Sequence, residues 1–244
     1  MMEHVSGKRL LLTRAEDDHG PWLERLTSLG AEGIPYPCIS IEALELSDSW
    51  EEHLECSDWI AFTSFRSVAY FAELLAGRAL PKHLLAAVGP TTEAAVLSRF
   101  GRCDLTAPQG TAGSLAEALR PKLTKASRVL LPGAAEPRPE LAHALESLGA
   151  TATPIPLYST RPRPRSGPRV DLGKARLDAA LFASPSALNG ALATAIIPND
   201  LPIACIGPST AAAAAAANLA EIYTSKTRDL DGLLRALKHP LSKS

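Results

Sequence analysis

The chain carries one long segment twice. Residues 9–40 (RLLLTRAEDDHGPWLERLTSLGAEGIPYPCIS) align without a gap to residues 128–159 (RVLLPGAAEPRPELAHALESLGATATPIPLYS), with twelve identities in thirty-two positions at an offset of 119. The echo continues downstream. Phe62-Thr63-Ser64 returns as Phe182-Ala183-Ser184, and Val88-Gly89-Pro90-Thr91-Thr92 as Ile206-Gly207-Pro208-Ser209-Thr210. Residues 113–119 return as 231–237. Solenoid repeats run ~20–50 residues. A period of 119 residues is therefore a domain-sized unit, and a chain of 244 residues holds two of them.

Within each copy, short apolar runs alternate with helical stretches. The runs predict strands over residues 10–13, 59–63 and 85–88, then over 129–131, 180–183 and 203–206. Trp22, Leu23, Leu26 and Leu29 are spaced to line one face of a helix. Gly30 follows where a helix end needs positive φ. Alternation of β and α predicts an α/β fold of parallel sheets with helices on both faces. Residues 34–41 contain Pro35 and Pro37 and predict an edge or isolated strand, because proline cannot donate to a ladder. The basic, proline-rich residues 161–169 read as an extended linker.

Several function classes fall away. With 25 Lys+Arg against 26 Asp+Glu, the net charge of −1 excludes a nucleic-acid binder that works by bulk positive charge. The longest apolar run, residues 211–217, is far short of the ~20 needed to span a bilayer. Those seven alanines suit a helix in close contact with a sheet. Residues 1–9 are polar and lack the apolar core of a signal peptide. Cys38, Cys56, Cys103 and Cys205 are scattered, which excludes a zinc knuckle or disulfide framework and makes a reduced, cytoplasmic setting the default. They read as small buried hydrophobes. The six histidines show no metal-ligand spacing and read as solvated surface residues. No G-x-G-x-x-G, P-loop or G-x-S-x-G motif is present. No heptad pattern argues for an oligomer, so a monomer is the default.

Parallel sheets place ligands beyond the carboxyl ends of their strands. The residues there are Thr13-Arg14, Thr63-Ser64-Phe65-Arg66, Gly89-Pro90-Thr91-Thr92, Pro132-Gly133, Ser184-Pro185-Ser186 and Gly207-Pro208-Ser209-Thr210. Each precedes a helical stretch, whose first amides and dipole attract carboxylates or phosphates without basic side chains. Serine and threonine at these positions are also ordinary helix caps, and duplication copies caps as faithfully as sites. Two readings stand for Tyr158 in its proline-bounded strand: an amphipathic ring packed at a domain joint, or a hydroxyl that transfers a proton. Arg14 and Arg138 are either partners of a ligand carboxylate or solvated surface residues.

Taken in order, these pieces resemble the uroporphyrinogen-III synthase family over residues 9–237. The carriers are Leu12-Thr13-Arg14 with Leu29-Gly30-Ala31, Phe62-Thr63-Ser64, residues 88–92, Leu148-Gly149-Ala150 with Tyr158, residues 182–186 and residues 206–210. The resemblance implies cyclisation of the linear tetrapyrrole hydroxymethylbilane to uroporphyrinogen III, with loss of water and inversion of the last pyrrole, without metal or organic cofactor. It implies two similar α/β domains joined by a two-stranded antiparallel ladder, with the active-site cleft between them. The expected division is 1–36 plus 162–244 for one domain and 42–153 for the other, with 37–41 and 154–161 as linking strands. By the same match Tyr158 assists departure of the hydroxyl, and Ser64, Thr92, Ser184 and Thr210 bind substrate carboxylates. Thr13, Arg14, Arg138 and Ser186, in turns at strand ends and helix starts, complete the candidate set. Phe65 departs from the family, which often has proline or a small polar residue there. The competing expectation from another class is a non-catalytic two-domain protein that binds a small polyanion.

Overall fold

The computed structural model describes residues 2–15, 19–47, 49–80, 82–137, 139–163 and 167–242. Arg138 lies outside them. The chain runs β1 (Arg9–Leu12), α1 (Gly20–Ser28), β2 (Glu32–Pro35), β3 (Ile39–Ala43), α2 (Ser49–Glu55), β4 (Trp59–Phe62), α3 (Phe65–Leu75) and β5 (Leu84–Ala87). It continues with α4 (Pro90–Phe100), β6 (Leu105–Thr106), α5 (Ala112–Leu119), β7 (Arg128–Ala134), α6 (Glu140–Ser147), β8 (Thr151–Pro162) and β9 (Val170–Asp171). It ends with β10 (Ala179–Phe182), α7 (Pro185–Thr194), β11 (Ala195–Ile196), β12 (Ile203–Cys205), α8 (Pro208–Ala216), β13 (Ile222–Thr224), α9 (Leu230–Ala236) and α10 (Lys238–Leu241).

The two sequence copies are exchanged between two sheets. Strands β1 and β2 of the first copy pair with β10, β12 and β13 of the second, in the order β13-β12-β10-β1-β2, all parallel. Strands β4, β5 and β6 of the first copy join β7 and β8 of the second, in the order β3-β8-β7-β4-β5-β6. Each set of five parallel strands has the doubly wound order 2-1-3-4-5 when its first βαβ is counted as strands 1 and 2. Contacts divide the chain accordingly, into Met1–Ile41 with Thr160–Ser244, and Glu42–Ser159.

In the first of these units the sheet alternates strictly between two cores, as the period of 2 demands. Leu11, Ala180, Phe182, Ile203 and Cys205 face α7 and α8, where Leu188, Ala191 and Ala214 are buried. Leu10, Leu12, Ala179, Leu181 and Ala204 face α1, α9 and α10 through Leu26, Leu233, Leu234 and Leu241. Only Ala214 of residues 211–217 is fully buried, so the alanine run packs along one side. In the second unit Trp59, Ala61, Ala86 and Val129 meet Leu115, Leu119, Leu141 and Leu145 of α5 and α6. On its other face Phe62 packs against Phe71 and Phe100, at ring-centroid distances of 5.7 and 5.9 Å.

Four expectations are corrected. Residues 34–41 form two edge strands, β2 in one sheet and β3 in the other, because the chain leaves the first sheet at Tyr36-Pro37-Cys38. The second proline-bounded segment is a twelve-residue strand, β8, that continues into the supposed linker as far as Pro162. His19 and His83 are buried, each with Nε2 against a main-chain carbonyl, of Leu12 and of Leu54. A histidine whose ring nitrogen finds a carbonyl can leave water. Cys56, just past the end of α2, is exposed.

Strands β3 and β8 are neighbours. The Arg163 amide donates to the Cys38 carbonyl and the Leu44 amide to the Leu157 carbonyl. One partner number rises as the other falls, so the pairing is antiparallel.

Candidate active site

In a doubly wound sheet the crevice opens where strand order reverses. In the unit of residues 42–159 that point lies between β4 and β7. Strand β4 ends at Phe62, and Ser64 turns the chain into α3 with extended backbone. Its Oγ accepts the Ser67 amide at 3.0 Å, and Ser67 Oγ donates back to the Ser64 carbonyl at 2.7 Å. A capping serine of this kind fixes the helix start.

Tyr158 reaches the same place from β8. A bulge shifts the register from Gly133↔Pro156 to Ala134↔Tyr158, and the Ala135 amide donates to the Tyr158 carbonyl at 2.8 Å. The ring is buried and packs on Tyr70 with centroids 5.1 Å apart. Its hydroxyl stands 3.5 Å from Ser64 Oγ. The Arg66 guanidinium lies 6.0 Å from the Tyr158 ring centroid, within cation–π range. At the corresponding position of the first copy the residue is Ile39, so this hydroxyl has no twin.

The other unit reverses strand order between β1 and β10. Thr13, just past the end of β1, is fully buried and donates its hydroxyl to the Leu181 carbonyl at 2.7 Å, a tie to the neighbouring strand. Arg14 follows, its guanidinium 4.1 Å above the Trp22 ring. Ser184 repeats Ser64: extended backbone, with Oγ accepting the Ala187 amide at 3.1 Å. Ser186 is exposed in the first turn of α7.

Capped and open helix starts alternate in both units. Helices α3, α5, α7 and α9 begin with a side-chain cap from Ser64, Thr111, Ser184 and Asp229. Helices α4 and α8 begin at Gly89 and Gly207, which offer no side chain. Pro90 and Pro208 open these helices without an N–H, and the amides that follow have no side-chain acceptor, as at the starts of α1 and α6; such amides can receive an anion. Thr92 and Thr210 are buried at these starts, and the exposed hydroxyls there belong to Thr91 and Ser209. The sequence held the signal. Thr92 is four residues from buried Val96, and Thr210 four from buried Ala214, which puts each threonine on the packed face.

The structure thus gathers Ser64 and Tyr158 in one unit, and Thr13, Arg14 and Ser184 at adjacent strand ends in the other. A separate cavity of about 350 Å³, lined by Leu75, Leu80, Phe100, Arg78 and Arg102, lies where α3 and α4 end. Its Arg78 and Arg102 are held by Glu55 and Asp104. This is helix C-terminal scaffolding, away from the strand ends.

The family model described as "Uroporphyrinogen-III synthase HemD" matches residues 21–235. A porphyrin biosynthesis protein HemD from Ruminiclostridium josui is 26% identical over 242 residues, covering 93% of this chain and 47% of that protein. A chloroplastic uroporphyrinogen-III synthase from Oryza sativa subsp. japonica is 29% identical over 192 residues, covering 75% and 64%. The chain thus spans about half to two thirds of these relatives' length. The fold is similar to the crystal structure of uroporphyrinogen-III synthetase from Helicobacter pylori, with a TM-score of 0.66 at 16% identity over 97% of this chain and 100% of that one. With a family match across most of its length and the family's fold in both units, the chain belongs to the uroporphyrinogen-III synthase family.

Proposed function

We propose that this protein cyclises hydroxymethylbilane to uroporphyrinogen III, losing water and inverting the last pyrrole ring. The family match over residues 21–235 carries the reading. The substrate bears eight carboxylates, and a protein of net charge −1 needs local donors to hold them. The open starts of α4 and α8 supply such amides, joined by the hydroxyls of Thr91 and Ser209. Ser64, Ser184, Ser186 and Arg14 add polar groups at the neighbouring strand ends. Buried Thr13, Thr92 and Thr210 shape these turns from beneath. Arg138 belongs to the same proposed set.

The reaction asks for geometry more than for strong acids or bases. Tyr158 donates its proton to the departing hydroxyl, and water leaves. The resulting azafulvene cation is attacked by the substituted carbon of the terminal pyrrole. The spiro intermediate fragments and recloses with that ring inverted, and a proton is lost. In this account the enzyme acts as a cytoplasmic monomer on a small-molecule substrate, with no cofactor, nucleic acid or membrane. No helix among the described residues is long and apolar enough to cross a membrane. The test is incubation with freshly made hydroxymethylbilane, followed by chromatography of the oxidised product. The type III isomer is expected; the spontaneous type I isomer alone overturns the reading.

A further inference from the structure

We propose that Phe65 is a substrate-positioning residue, an exposed aromatic face against which one pyrrole ring of the linear tetrapyrrole packs; the inference rests on the cyclising activity proposed above. Phe65 opens α3 directly after the capping Ser64. It is 38% exposed, whereas Phe62 and Phe71 of the same unit are fully buried. Three other large apolar side chains among the described residues are exposed: Leu84, Leu97 and Ile196. Leu84 sits at the opposite end of its strand, Leu97 lies late in α4, and Ile196 belongs to the small β9–β11 sheet. Phe65 alone of the four stands beyond the carboxyl end of a strand in either main sheet.

The helix start does not require an aromatic. The second copy has Pro185 at this position, and proline suits the first residue of a helix. What the aromatic adds is a face at the site. The Arg66 guanidinium lies 5.4 Å from the Phe65 ring centroid and 6.0 Å from that of Tyr158, so one cation is near both rings. A pyrrole bearing acetate and propionate arms matches this combination of aromatic face and cation. Its ring stacks in offset fashion on Phe65, and an arm reaches the guanidinium, whose five donors serve more than one acceptor.

The experiment is steady-state kinetics on hydroxymethylbilane with the full chain and with Phe65→Ala, Phe65→Pro and Phe65→Tyr, each checked by thermal melting. Phe65→Pro reproduces the start of α7, so the test survives even if Phe65→Ala folds poorly. KM is expected to rise roughly two- to tenfold in the alanine and proline variants and to return to the parent value in the tyrosine variant. An active parent chain with unchanged KM in Phe65→Ala and Phe65→Pro overturns the inference and leaves the activity intact. Failure of Phe65→Tyr to restore KM also overturns it. A parent chain without activity refutes the cyclising reading itself.

Discussion

The Tyr158 hydroxyl stands 3.5 Å from Ser64 Oγ, and that Oγ already accepts the Ser67 amide at 3.0 Å. A hydroxyl pair normally closes to 2.7–2.8 Å. This contact holds the tyrosine proton only weakly, which suits the proposed transfer to a substrate oxygen. Tyr158→Phe keeps the packing on Tyr70 and removes this long contact. Its kcat is expected to fall about 100-fold, with a melting temperature within a few degrees of the parent. Unchanged kcat removes the tyrosine from the chemistry.

The two copies of the serine cap separate stability from binding. Ser64→Ala and Ser184→Ala each release a first-turn amide and are expected to cost about 1 kcal/mol by chemical denaturation. Ser64→Asp restores the cap, since aspartate is as good a cap as serine, but sets a negative charge beside Tyr158. Stability near the parent value with a clearly raised KM is the expected pair of results. A KM that does not move places Ser64 outside the reach of substrate carboxylates.

What the chain would become was legible where the signal is local. The strand and helix alternation, the serine caps and the positive φ of Gly30 (73°) all depend on residues a few positions apart, and the duplication shows in direct comparison of the two segments. The exchange of copies between sheets is not local in this way, and the expected division of the chain rests on the family resemblance rather than on local pattern. Nothing near Leu12 states that it pairs with Leu181, 169 residues away. That choice follows from strands β3 and β8, which carry the chain from one sheet to the other. Burial of His19 and His83 was hidden for the same reason, because their carbonyl partners become neighbours only in the folded chain. Burial of Thr92 and Thr210, by contrast, follows from the i, i+4 spacing to Val96 and Ala214, which turns each threonine toward the packed face.

His83 gives the fold an acid limit. Burial, together with the charges of Lys82, Arg102 and Arg78, lowers its pKa against the opposing hydrogen bond to the Leu54 carbonyl. The unfolded chain takes up this proton near the ordinary value of 6.5, before the folded one does. The unfolded state then binds more protons, so stability falls as pH drops below 6.5. Urea midpoints measured on both sides of that pH are expected to differ less in His83→Gln than in the parent. Equal slopes contradict the assignment.

Burial also pushes the Cys38 thiol up to about 12 and the Cys205 thiol up to about 11, from 9.0. Both stay protonated at neutral pH and so resist alkylation, whereas Cys56 is exposed. Mass spectrometry after a brief iodoacetamide pulse on the native protein is expected to show the label on Cys56, and on Cys38 and Cys205 only after unfolding. The same shifts make the fold less stable as pH rises above 9.0, where the unfolded thiols ionise first. Rapid labelling of Cys38 in the native protein contradicts its place beneath α7, where Sγ lies 3.1 Å from the Ala187 carbonyl.

Ring inversion is the step that distinguishes the proposed reaction from spontaneous closure. Hydroxymethylbilane can be labelled with ¹³C at its hydroxymethyl carbon and at the terminal-ring carbon that already carries a bridge. Nuclear magnetic resonance of the product formed by the purified chain is predicted to show one-bond carbon–carbon coupling between the two labels, which are not bonded in the substrate. A cyclic product without that coupling means the ring closed without turning over, and contradicts the account.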